Sequence, residues 1–131
     1  MLAEPPQRGD PERLAAWLGA GATVVAVTAI AASLLLAPQR LVETAYYEAV
    51  FWAGGHLLQF THSLLLVAAW LALGRAAGFT ALPRSPVTVL LWGAALPVLV
   101  GPLGFGFVVE SPEHRAWFTA LMRWGTWPAV P

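Results

Sequence analysis

The chain has 131 residues, of which 58% are hydrophobic and 11% charged, and its seven basic side chains, all arginine, balance seven acidic ones. A soluble domain carries about a quarter of its residues as Asp, Glu, Lys or Arg, and a small one leaves much of its surface in water. So much apolar surface therefore calls for lipid around it. The even charge balance offers no basic patch for nucleic acid, and the lack of cysteine excludes disulfides, thiolate zinc, iron–sulfur clusters and covalent c-type haem attachment.

In chain order, residues 1–13 form a polar N-terminal segment and residues 14–131 a transmembrane helical module. Between Arg13 and Arg40, between Glu48 and Arg75, and between Arg84 and Glu110 the chain runs about 25 residues without a charge. Roughly 20 apolar residues suffice to cross the hydrocarbon of a bilayer. The pattern predicts spanning helices near 14–37, 49–74 and 85–109. The first is too long and too internal for a signal peptide, whose apolar core runs about 7–15 residues. After the turn-like ESPEHR, an amphipathic segment at 116–131 ends without a polar tail and reads as a fourth helix cut short. The expected fold is all-α: an integral membrane bundle of three spanning helices plus the start of a fourth.

Arginine placement orients the bundle. Arg8, Arg13, Arg75 and Arg84 flank one face, and Arg40 and Arg115 the other. Positive charge favours the cytoplasmic side, which predicts a cytoplasmic N-terminus in a bacterial inner membrane. Trp17 and Trp70 then belong to the inner interface and Trp52 and Trp117 to the outer one. Glu48 and Glu110 mark the outer ends of spans.

The first span, rich in Ala and carrying Gly19 and Gly21, reads as a packing helix. The second, EAVFWAGGHLLQFTHSLLLVAAW, is interrupted by Gly54, Gly55, His56, Gln59, Thr61, His62 and Ser63. At about 100° per residue, Glu48, Trp52, His56, Gln59 and Ser63 share one broad face. Ionisable residues inside a membrane are costly and by default mark function. His56 is the prime candidate, because two preceding glycines leave room for a bulky group beside it. His62 lies about 120° around the helix from it and reads as interhelical packing. In the third span Pro97 and Pro102 predict a kink, and Gly93, Gly101, Gly104 and Gly106 permit close packing. His114 follows Pro112 and is expected in a connector.

The run YYEAVFWAGGHLLQF, Tyr46 to Phe60, resembles the start of the sixth helix of subunit I in the haem–copper oxidase and nitric oxide reductase superfamily. FTALMRWG, Phe118 to Gly125, is similar to subunit I variants with the same Gly-Gly-His element. The resemblance implies dioxygen or nitric oxide reduction at a haem facing a second metal, copper or non-haem iron, with His56 as one ligand of that metal. His114 and His62 are weaker candidates. The implied partners are the remaining helices of a larger subunit I and other respiratory subunits. Two departures count against a complete site: the family's His-His pair on the next helix has no counterpart in GPLGFGFVVESPEHR, and Phe60 stands where some oxidases carry a crosslinked Tyr. By itself the chain is expected to be catalytically silent. Two alternatives stay open: a small b-type haem anchor pairing His56 or His62 with His114, and a metal-free scaffold or assembly partner.

Overall fold

The computed structural model of the chain describes residues 10–79 and 83–126. Most of the polar N-terminal segment, including Arg8, and residues 127–131 of the fourth segment lie outside the described residues. Four α-helices follow one another: α1 Pro11–Leu36, α2 Glu43–Ala76, α3 Arg84–Val100 and α4 Pro112–Gly125. A 3-10 segment, Gly101–Gly106, continues α3. α1, α2 and α3 with its 3-10 extension are each long and apolar enough to cross a membrane. The all-α bundle of three potential spans and a shorter fourth helix is thus as expected.

α1 and α2 form the main antiparallel pair, α3 leans on both, and α4 packs against α2, α3 and the 3-10 segment. α1 buries Ala15, Gly19, Ala22, Ala26, Ala29 and Ser33, spaced alternately four and three residues apart. That spacing sets every small side chain on one face, so the two backbones can close on each other. A Cβ added at Gly19 would lie 2.8 Å from Leu65 Cδ2, and one at Gly54 2.2 Å from Ile30 Cγ1 and 2.7 Å from the Ala26 carbonyl oxygen. Gly54 therefore admits α1. Of the two glycines read as making room for a bulky group, only Gly55 faces open space.

The third span departs from a single helix over 85–109. Pro97 sits inside α3, and Pro102 opens the 3-10 turn that replaces regular helix after Val100. A proline lacks the backbone donor and crowds the carbonyl one turn back, so two within six residues convert the helix end to tighter turns. Gly101 and Gly104 meet Leu57 and the rings of Trp117 and Phe118, while Gly93 and Gly106 have nothing close by. Two of the four glycines thus serve packing.

Charged residues gather in two tiers. At one end Glu12 pairs with Arg75, and Asp10 lies 3.7 Å from Arg75 and 3.3 Å from Arg84. At the other, Arg40 pairs with Glu110, and Arg115 with Glu48 at 3.1 Å. The grouping of Arg75 with Arg84, and of Arg40 with Arg115, matches the reading of the sequence. Trp17, Val24, Leu35, Trp70, Leu73, Val89 and Trp92 are exposed between the tiers, as lipid-facing side chains must be.

Candidate functional site

The polar face of α2 is where α4 docks. Glu48 accepts from Arg115, whose guanidinium lies 5.4 Å from the centroid of the Trp52 ring. The Trp52 indole N–H donates to the Arg115 carbonyl at 3.3 Å. One turn deeper, His56 is half-buried, with its ring 4.8 Å from that of Trp52. Its Nδ1 is 2.8 Å from the Trp52 carbonyl oxygen. A carbonyl only accepts, so in a neutral ring this contact puts the proton on Nδ1 and leaves Nε2 as a bare lone pair.

His114 corrects the expectation of a connector residue. Ser111 caps α4, its hydroxyl accepting the His114 backbone N–H at 3.2 Å, and Pro112 occupies the first turn, where a missing donor costs nothing. His114 is therefore helical and fully buried. The chain turns back after Glu110, so α4 lies along α2 instead of leaving the bundle. The His114 Nδ1 is 3.0 Å from the Gly104 carbonyl, and its ring packs 5.3 Å from Phe105 and 5.0 Å from Phe118. Its Nε2 is buried and has no hydrogen-bond partner among the described residues. Such an orphan ordinarily costs about 1–3 kcal/mol. Burial lowers the His114 pKa below the usual histidine value, the Gly104 carbonyl opposes that shift, and the Arg115 charge adds to it. The neutral ring is the favoured form.

His56 and His114 thus share one arrangement: Nδ1 fixed by a backbone carbonyl and Nε2 free. Metal-bound histidines are oriented in this way, because the second nitrogen's hydrogen bond sets both tautomer and ring plane. His62 differs. It is exposed on another side of α2 and makes no hydrogen bond within the described residues. Gln59 is exposed as well, and Ser63 returns its hydroxyl to the Gln59 carbonyl at 3.0 Å.

The histidines come close to no third ligand: among the described residues, no group of three or more His, Cys, Asp or Glu is arranged to hold a metal ion. Each imidazole fits the part of a single ligand. The docking of α4 through Trp52 and Trp117 was missed in the sequence, where both read as interfacial anchors. The Trp117 indole N–H donates to the Gly101 carbonyl at 3.2 Å. The signal available was the break around Pro102, since the last carbonyls of a helix that ends there, Gly101 among them, are left for other donors.

No model of a known protein family and no solved structure matches the chain. A curated relative, the uncharacterized protein RP382 of Rickettsia prowazekii (strain Madrid E), is 53% identical over 30 residues. The match covers 23% of this chain and only 6% of that protein, so the likeness is local and brings no activity with it.

Proposed function

We propose that this chain is a membrane-embedded part of a respiratory terminal oxidase-like protein, similar to subunit I of the haem–copper oxidase and nitric oxide reductase superfamily. In this reading His56 is a ligand of the second metal. What supports it is the common state of two imidazoles, His56 and His114, each with Nδ1 tied to a carbonyl and Nε2 free, that of His114 buried beside aromatic rings. Imidazole suits copper and iron alike. Haem with copper or non-haem iron would supply the electron transfer and the coordination of dioxygen or nitric oxide. The chain's own residues do the positioning. Trp52 fixes the His56 ring, Glu48 and Arg115 clasp α2 to α4, and Phe105 and Phe118 exclude water from His114. Further ligands would come from other helices of a larger subunit. The same reading places the chain in a bacterial inner membrane with Arg75 and Arg84 on the cytoplasmic side.

In the full-length protein, His56→Ala and His114→Ala should each lower bound metal or haem and abolish terminal reductase activity, while the helices stay inserted. His62→Ala should leave both readouts near the parent values. Metal analysis, haem spectra and oxygen or nitric oxide uptake check this. Unchanged metal and haem content in all three variants would refute the reading. The burial of the free Nε2 of His114 also favours a second reading, a b-type haem held by His114 with a histidine on another helix. A low-spin two-histidine spectrum, lost in His114→Ala without any reductase activity in the parent, would select it.

A further inference from the structure

The last turn of α4 holds a guanidinium well inside the apolar zone between the two charged tiers. Gly125 packs against Phe60 and Pro97: a Cβ there would lie 2.5 Å from Pro97 Cγ and 3.1 Å from Phe60 Cε1. Phe60 is twelve residues from Glu48 and fifteen from Arg75, so at about 1.5 Å per residue it stands midway between the two charged tiers. Arg123 is two residues from Gly125 and eight from Arg115, or roughly 12 Å below the tier that Arg115 joins. Its side chain is exposed, and its guanidinium carbon lies 5.6 Å from the centroid of the exposed Trp124 ring. Among the described residues no carboxylate pairs with it.

Three further observations bear on what covers this side. Ala116, Thr119, Ala120 and Arg123 are all exposed and recur at helical spacing, so α4 turns a face of small residues outward with Arg123 at its deep end. On α2, Gln59 and His62 are exposed at nearly the same depth, next to Phe60 in sequence. Lastly, the spans 14–39, 49–74 and 85–109 contain no Asp or Glu, so a second copy of this chain has no acid at mid-depth to offer. A charge at the centre of a bilayer is retained where it faces a partner or a wet cavity.

We propose that the exposed face of α4, Ala116, Thr119, Ala120 and Arg123, docks a partner transmembrane helix that carries an Asp or Glu near its midpoint. The small side chains let the partner's backbone approach, and the guanidinium then pairs with the carboxylate out of water, where a charge-assisted hydrogen bond is strong. This does not rest on the metal reading, since neither His56 nor His114 takes part.

The test uses the full chain, labelled with a donor at Cys in Gln39→Cys and reconstituted in phosphatidylcholine vesicles. The probe is an acceptor-labelled Leu/Ala peptide of about 20 residues with a central Glu, compared with the same peptide bearing a central Leu. The Glu peptide should saturate energy transfer at a roughly tenfold lower peptide-to-lipid ratio. Arg123→Leu should erase the difference, and Arg123→Glu should transfer the preference to a central-Arg peptide. Circular dichroism and protease protection of each variant report that the bundle is intact. Equal transfer with Glu and Leu peptides, or a preference that survives Arg123→Leu, would overturn the proposal. Self-transfer between chains that neither peptide displaces would instead assign the face to a second copy. A Glu preference abolished by added phosphatidylglycerol would assign Arg123 to an anionic lipid.

Discussion

His114 shows how strongly its surroundings can set the state of one side chain. Its Nδ1 is satisfied, its Nε2 is not, and it is buried against Phe105 and Phe118. A pH dependence follows for the chain without a bound metal. Because the folded pKa lies below the unfolded value of about 6.5, the folded state binds fewer protons than the unfolded one near neutrality. The contribution of His114 is thus fully present above about pH 6.5 and is lost as pH falls through the folded pKa. Thermal unfolding in detergent micelles should show stability declining from pH 7 toward pH 5. His114→Phe, which keeps an apolar ring there, should flatten that decline. His56 and His62 were recognisable as intramembrane imidazoles in the sequence, but the environment of His114 was not. It depends on a chain reversal after Glu110 that no local periodicity encodes, and on a carbonyl at Gly104 ten residues away.

Among the elements, α1 and α2 have the closest fit. Gly54 lies against the Ala26 carbonyl oxygen as well as the Ile30 side chain, so an added methyl would meet backbone that cannot swing aside. Gly54→Ala should therefore destabilise the bundle by about 1–3 kcal/mol, as overpacking does. Gly55→Ala, which meets nothing within 4 Å, should be neutral or slightly stabilising, since Ala favours helix. Denaturation of both variants in mixed detergent micelles separates the two outcomes. The end of α2 gives a simpler case. Gly78 adopts φ +80°, and its N–H and that of Phe79 bond back to Arg75 and Gly74 at 3.0 and 3.1 Å. This left-handed cap closes the helix where Leu-Gly-Arg-Ala-Ala-Gly announces it. Helix ends and spans were legible because each depends on nearby residues and on hydropathy. The division of the third span into α3 and a 3-10 segment was legible only as a kink, since proline positions do not say which turns replace the lost helix.

For the whole molecule, the described ion pairs gather in two tiers, one at each end of the bundle. Each pair is partly exposed and contributes at most about 1 kcal/mol, so their value is positional more than energetic. The proposed topology rests on the same arginines. With single cysteines at Gln39 and Ala77 in intact cells, a membrane-impermeant reagent should label Gln39→Cys and leave Ala77→Cys protected. Labelling in the opposite sense would invert the proposed orientation. Sequence reading reached the two ends of the molecule through unbroken apolar runs. It also set Arg123 deep in the last segment, but not the packing of Gly125 against Phe60 and Pro97, which depends on how α4 lies on its neighbours.

The distance between the tiers has a consequence of its own. From Glu48 to Arg75 is 27 residues of continuous helix, or about 40 Å, close to the thickness of a bilayer with its headgroup regions. α3 and its 3-10 extension cover nearly the same height with 23 residues, because the tighter turns rise about 2.0 Å each in place of 1.5 Å. The spans are therefore closely matched in height. Spans of matched height meet a thinner membrane most simply by leaning together and a thicker one by standing upright. Membrane thickness thus becomes an input that this chain reads as an angle.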